Sequence, residues 1–390
     1  MFLQVHYLTS YHASLLNRDD AGLAKRIMFG GYPRLRVSSQ CQKRHWREWI
    51  RRHTNLAPGI RTRHFFSRVI KPRLVAEGIN EDVAHELILH LARNILKSAG
   101  ERDALDPQTL QMKQPVLFGR PEADYFVMIL REAASLGDIN AAKAHLDAKV
   151  RDERNNFRAL LAQAGIHDPQ AGFDGALFGR FVTSDILARV DAPLHVAHAF
   201  TTHALDTEVD YFTTVDDLAA EEETGAAHAG DMELGAGIFY GYVVVDVPLL
   251  VSNLTGCDPS EWRTQNHEDA RNLLDVVIRA IAQVSPGAKL GSTAPYARSE
   301  CVVLEVGDTQ PRSLANAFLK PVELGKKEHP MAASIVAMAR YLDALEAMYG
   351  DTGETRFVAT IHQWPRKVDT VVSLNDLIRR GLDLVFGDGQ

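Results

Sequence analysis

Hydrophobic and polar positions along the first fifty residues set out strand, loop, strand and helix in turn. Phe2 to Leu8 (Phe-Leu-Gln-Val-His-Tyr-Leu) is rich in aromatic and aliphatic residues over a strand-like length and predicts a first strand. A polar loop follows, carrying Leu16-Asn17-Arg18-Asp19-Asp20 and then Gly30-Gly31, where glycine supplies backbone freedom at a turn. Arg34 to Val37 reads as a short strand. Ser38 and Ser39 both offer N-caps, and Ser39 with Gln42 three residues later fits a capping box opening a helix from Gln40 to about Arg52. From Asn80 to Ala164 the period turns helical, with Val83, Leu87, Leu91 and Ile95 spaced i, i+4, as in an inserted helical domain. Strand signals return at Leu177 to Thr183 and at Gly237 to Val245. An amphipathic helix over about Pro259 to Val284, a strand at Cys301 to Val306 and C-terminal helices complete the chain. Strands separated by two helices, with long insertions in the connections, predict an α+β fold built on a split βαβ or ferredoxin-like sheet, an architecture shared with many RNA-binding modules.

Composition narrows the class. A chain of 390 residues with 46% hydrophobic and 24% charged residues is an ordinary folded protein of two or three domains. No apolar run approaches the roughly 20 residues of a membrane helix, the best stretch, Tyr242 to Val251, being broken by Asp246 and Pro248. Met1 to Leu8 alternates polar and apolar residues, unlike a secretory signal. Cys41, Cys257 and Cys301, odd in number and far apart, neither build a disulfide framework nor pair as zinc ligands, so a cytoplasmic location without membrane association is expected.

Charge changes the picture further. The net charge is -7, yet residues 34 to 73 hold twelve Lys and Arg against Glu48 alone, leaving -18 for the rest. Like charges crowded together disfavour the compact state, so the run calls either for acidic neighbours in space or for an anionic partner. On a helical wheel Gln40, Lys43, Arg44, Arg47 and Arg51 share an arc of about 100°, with His45, Trp46, Trp49, Ile50 and His53 opposite. A cationic stripe beginning in the first turn opposes the helix dipole, and a phosphate seated on the free N–H groups compensates it. Arg34 and Arg36, two apart on the preceding strand, extend the same track, and Arg18 and Lys25 of the loop join the candidate set. Residues 206 to 233, by contrast, hold ten Asp and Glu and no Lys or Arg, as an exposed protrusion would.

Other constellations carry less. His195, His198, His203 and Asp206 suit a metal chemically but match no metal motif, and capping and packing roles compete. Asp19 and Asp20 beside Arg18 offer carboxylates for a divalent ion. Gly30-Gly31 lacks the lysine and spacing of a nucleotide phosphate loop. Lys289, in the glycine-rich loop Gly287 to Ala297, either adds a phosphate contact or solubilises the loop.

The run Leu16-Asn17-Arg18-Asp19-Asp20, Phe29-Gly30-Gly31 and Arg34-Leu35-Arg36-Val37-Ser38-Ser39-Gln40 leading into Lys43-Arg44 resembles the CasC backbone subunit family of the type I-E CRISPR Cascade complex, within the RAMP superfamily. Gly179-Arg180, His198-Ala199-Phe200-Thr201-Thr202-His203, Asp210-Tyr211-Phe212-Thr213, Val215-Asp216-Asp217-Leu218, Pro286-Gly287-Ala288-Lys289 and Ala315-Asn316-Ala317-Phe318 continue it in order. The resemblance implies an RRM/ferredoxin-like palm (1–56, 176–205 and 235–390 with the C-terminal helices), a helical fingers domain inserted at 57–175 and a β-hairpin thumb at 206–234. It implies a non-catalytic protein without cofactor or metal, polymerising with copies of itself along CRISPR RNA. Its other partners would be further Cascade subunits and, through the guide, target DNA. Lys43, Arg44 and Arg47 would hold the RNA backbone. Tyr211 and Phe212 would either wedge beside a displaced nucleotide, stacking being sequence-tolerant, or anchor the hairpin's own core. Phe181, beside Arg180, stands where family members can carry methionine and keeps an apolar wedge. The rival reading is a metal-dependent RNA endonuclease of the related type III backbone kind, with Asp19 or Asp20 holding the ion.

Overall fold

The computed structural model describes residues 1–96, 105–150, 171–180, 190–214, 228–288, 290–325 and 329–387. Their strands are β1 (Phe2–Ser14), β2 (Arg26–Phe29), β3 (Tyr32–Val37), β4 (Ile60–Thr62), β5 (Val116–Phe118), β6 (Leu194–Val196), β7 (Ala199–Thr201), β8 (Thr207–Thr214), β9 (His228–Asp246), β10 (Cys301–Gly307), β11 (Thr355–Thr360) and β12 (Thr370–Val371). The α-helices are α1 (Ser39–His53), α2 (Lys71–Ala76), α3 (Glu81–Ile95), α4 (Arg120–Ala134), α5 (Ile139–Val150), α6 (Gly172–Phe178), α7 (Val247–Thr255), α8 (Glu268–Gln283), α9 (Leu290–Thr293), α10 (Pro330–Tyr349) and α11 (Leu374–Phe386). The fold is α+β. Among the described residues no helix is long and apolar enough to cross a membrane. The chain divides into two compact units, one of residues 1–54, 195–245 and 271–390 and the other of 55–194 and 246–270. The division thus assigns 176–194 and 246–270 to the helical unit, where the sequence reading put them with the palm.

The first unit is built on a sheet ordered β12-β11-β10-β1-β9-β7-β3-β2, with β6 and β8 also pairing with β9. Neighbours β1–β10, β10–β11, β7–β9, β3–β7, β2–β3 and β8–β9 are antiparallel, and β11–β12 is parallel. In chain order β1, α1, β7, β9, α8, β10 occupy the places of a βαββαβ unit, and the spatial order β10-β1-β9-β7 is that of a ferredoxin-like sheet. One sheet face meets two helices, where Tyr7, Tyr11 and Phe239 surround a small gap with Gln42 and Trp46 of α1 and Ile281 of α8. The other face is roofed by α10: Leu8, Phe200, Ile238, Tyr240, Cys301 and Val303 pack with Met331, Ile335, Met338 and Leu342. Alternate residues of β1 thus serve opposite layers, as the period of two requires.

Polar groups tie the roof down. Glu305, fully buried on β10, accepts from His6 Nε2 at 3.0 Å, Arg312 Nη1 at 2.7 Å and Arg356 Nη2 at 2.6 Å. Arg356 and Arg366 also share Glu346 and Asp369. Burial alone would raise the Glu305 carboxyl, but bonds from His6 and Arg312 and the charge of Arg356 hold it well below the usual carboxylate range.

The second unit centres on Phe65, Phe66, Phe118 and Phe126, with Phe65 stacked on Phe118 at 3.9 Å, and on the buried faces of α3, α4 and α5. Glu122, buried in the first turn of α4, accepts from Gly119 N–H at 2.5 Å and Ala171 N–H at 3.1 Å.

Several expectations are corrected. The first strand runs to Ser14, and β2, β4, β5, β6, β7, β11 and β12 escaped notice. The strand expected at Leu177 to Thr183 is the end of α6 as far as Phe178, and residues 181–183 lie outside the described residues. Residues 172–177 are buried without a break, so the short apolar stretch carries no period that tells a helix from a strand. The helix expected over Pro259 to Val284 is a 3-10 turn, Pro259–Thr264, followed by α8. Asp258 caps the turn through Ser260 N–H, and Asn266 Oδ1 accepts from Glu268 N–H at the new start. Gly30 and Gly31, at φ of 60° and 82°, form the two-residue turn between β2 and β3 that their sequence suggests.

Candidate nucleic acid interface

The site starts from the cap of α1. Ser38, in extended geometry, accepts from Cys41 N–H through its side chain, and α1 begins at Ser39. The expected Ser39–Gln42 box is therefore not formed. Gln42 turns inward, donating to Val37 O at 3.2 Å and Ala197 O at 3.0 Å and accepting from Tyr7 O–H at 2.5 Å. It fastens the helix start to β1, β3 and the β6–β7 connection. With the helix starting one residue earlier than predicted, Ser39 to Gln42 fill the first turn without acid or cation, and the positive stripe opens just beyond it at Lys43.

Around this start the chain gathers cations from separate elements. Asn17 Oδ1 accepts from Ser38 N–H at 2.9 Å while Asn17 O accepts from Lys25 N–H at 2.8 Å, and Lys25 O accepts from Arg36 N–H at 2.8 Å. One asparagine thus fixes the loop, β3 and the cap together; sequence reading quoted it in a motif without giving it a role. Arg36 Nη1 lies 2.9 Å from His198 Nδ1. Arg44 and Lys25 both act on the Cys41 thiol, whose pKa burial pushes up against them, so they flank the same corner. Arg44 is 74% exposed, with a long 3.5 Å contact to Glu48. Lys43 and Arg47 are half-buried, and desolvation lowers the Lys43 pKa. Gln40 and Arg18 are exposed and Ser39 half-buried. Lys25, Arg36, His198 and Arg44 therefore converge on the N-terminal end of α1, where backbone dipoles also favour an anion.

Two predicted members lie elsewhere. Arg34 does not share the track of Arg36: it is fully buried, donating to Thr201 O at 2.9 Å and Phe318 O at 2.7 Å. Arg180 is buried too, its Nη1 donating to Glu122 Oε1 at 2.5 Å and to Leu117 O at 3.3 Å. Both guanidiniums are spent inside the fold. The basic run itself is shared between the units, and in the second Lys71 pairs with Glu81 at 2.9 Å and Arg73 with Asp124 at 2.8 Å.

The acidic arm is a hairpin. β8 and β9 pair from Thr207↔Gly235 to Thr214↔His228, with Tyr211 opposite Asp231 and Phe212 opposite Gly230. Tyr211 is 67% exposed, which removes it from the role of hairpin core anchor. Glu233, near the base of the arm, is buried and accepts from Ala24 N–H at 2.8 Å and from Arg26. Phe181, Lys289, residues 215–227 and the Phe212 side chain lie outside the described residues.

Among the described residues no group of three or more His, Cys, Asp and Glu is placed to hold a metal ion. His203 is buried, its Nδ1–H donating to Ala204 O at 2.8 Å and its Nε2 accepting from Ile238 N–H at 3.2 Å. Asp19 Oδ1 is taken by the N–H groups of Ala21 at 2.9 Å and Leu23 at 3.0 Å, a turn-closing task.

The fold is shared with chains of RNA-guided complexes. A chain of a "CRISPR RNA-guided surveillance complex, pre-nicking" matches at 23% identity with a TM-score of 0.74, covering 98% of this chain and 100% of that one. A second, from a "CRISPR RNA-guided surveillance complex", matches at 21% identity with a TM-score of 0.58, covering 99% of this chain and 100% of that one. None of the curated proteins compared with the chain matches it. The model of the CT1975-like protein family matches residues 3–380, and the chain belongs to that family.

Proposed function

We propose that this chain is a non-catalytic backbone subunit of a type I-E CRISPR effector, working in the cytoplasm as one of several copies arrayed along CRISPR RNA and presenting the spacer for pairing with target DNA. The carrying observation is the convergence of Lys25, Arg36 and Arg44 on the capped start of α1. Cations from a loop, a strand and a helix, held by one asparagine, grip phosphates without reading bases, which is what a protein that delegates sequence recognition to a guide needs. The surveillance-complex chains that share the fold support the same reading. In it the β8–β9 hairpin is the thumb folded over the RNA, with the exposed Tyr211 beside a displaced nucleotide, and its acids face the basic surface of the next copy.

The test is RNA binding as a function of salt. Log K should fall by about 0.7 per phosphate neutralised, and Arg44→Ala with Lys25→Ala should weaken unrelated RNA sequences equally while lowering that slope. Salt-insensitive or strongly sequence-selective binding would overturn the reading. Incubation with target RNA and Mg²⁺ should leave the RNA intact; cleavage abolished by Asp19→Ala would establish the nuclease instead.

A further inference from the structure

We propose that His198 is a further ligand of the phosphate met by Arg36 and Lys25 at the start of α1, and that it takes up a proton when that phosphate binds. The inference rests on the RNA-binding reading above. Register carries it first: Arg36 pairs with Phe200 and Val37 with Ala199, so one more step along the two strands sets His198 opposite Ser38, the cap of α1. The imidazole is exposed there. Arg36 Nη1 stands 2.9 Å from its Nδ1. A guanidinium only donates, so Nδ1 accepts and the ring proton sits on Nε2.

In the free protein this arrangement resists a second proton. Desolvation, then Arg36 on β3, then Lys25 of the preceding loop hold the His198 pKa below its ordinary value. Of the acids on β9, Glu233 is engaged by Arg26 and the Ala24 N–H, and Asp246 accepts from the Leu249 N–H at the start of α7. A phosphate oxygen arriving between these cations reverses the sign, because its negative charge favours the imidazolium and draws the Arg36 guanidinium off Nδ1. Both side chains then donate to the same anion. The pKa in the complex lies above that in the free protein, so affinity rises once pH falls below the bound-state value and levels off below the free-state value.

The experiment is isothermal titration calorimetry of the full chain with a single-stranded RNA of mixed sequence, in buffers of different ionisation enthalpy, from about pH 8 to about pH 5.5. The expected result is net proton uptake on binding and an affinity gain of about 3- to 10-fold over that range. In His198→Gln, whose amide oxygen can still accept from Arg36, the uptake and the His198 part of the gain should disappear. Unchanged proton uptake in His198→Gln, or binding by the wild type with no uptake, overturns the assignment while leaving RNA binding intact. No RNA binding at any pH overturns the proposed function itself and the inference with it.

Discussion

Arg34, Arg36 and Arg44 carry the same guanidinium into three settings. Arg34 is sealed inside and serves two backbone carbonyls, Arg36 leans on an imidazole at the rim, and Arg44 stands in solvent. Arg34→Met should therefore lower stability by about 2 to 5 kcal/mol, since two buried carbonyls lose their donor, and denaturant unfolding measures it. Arg44→Ala should leave stability within about 0.5 kcal/mol and lower RNA affinity instead. Equal effects of the two variants on stability would refute the distinction. His203 gives a pH-dependent counterpart. Burial first, opposed by the bond to Ala204 O, lowers its pKa, and its Nε2 must stay unprotonated to accept from Ile238 N–H. The unfolded chain then binds the proton more readily, so the thermal midpoint should fall as pH drops below about 6.5, the ordinary histidine value. A midpoint level from pH 7 to 5 would exclude this. Sequence named the cations of the corner because lysine and arginine are conspicuous. It misassigned Arg34 because alternation along a strand tells which residues share a face, but not whether that face is covered.

At the level of elements, α1 was read almost to its ends, since its apolar face repeats at helical spacing with Trp46 and Ile50 buried. Its cap was misread by one residue. Ser38 and Ser39 are chemically equal, and tertiary partners decide between them: Asn17 holds the Ser38 N–H and Gln42 turns inward. Ser38→Ala should cost about 1 kcal/mol, whereas Ser39→Ala should cost a few tenths, a difference resolved by thermal unfolding. Equal costs would return the cap to Ser39. β1, β9 and β10 were legible as apolar runs. β2 was not, because Ile27 and Met28 are exposed and lack the burial pattern that marks a strand. The end of α6 and the break before α8 escaped for a different reason: tertiary partners and local capping side chains, Asp258 and Asn266, determine them.

Across the whole molecule, the uneven charge that first suggested a polyanion divides into parts with different work. Lys71 and Arg73 are matched by acids of their own unit, while the corner around α1 presents cations from three elements. The ionic group beneath α10 is internal, and Glu305 is its hub. Its stabilising contribution is complete above the usual carboxylate value of about 4.3 and is lost as pH falls through the depressed native value. Glu305→Gln, which removes the buried carboxylate while Arg312 keeps Glu354 and Arg356 keeps Glu346 and Asp369, should cost about 1.5 to 3 kcal/mol near neutrality and flatten the acid limb of the unfolding curve; an unaltered acid limb would assign that limb to other groups. The two-layer topology was foreseeable from the order of strands and helices, but the roof was not, because α10 mixes apolar and small residues without a strong amphipathic stripe. That roof has a consequence for the proposed function. With α10 occupying the plane where a bare sheet could offer its aromatics as a shelf for nucleobases, a strand bound as proposed would be grasped along its sugar–phosphate spine, its letters turned outward and legible to a complementary chain.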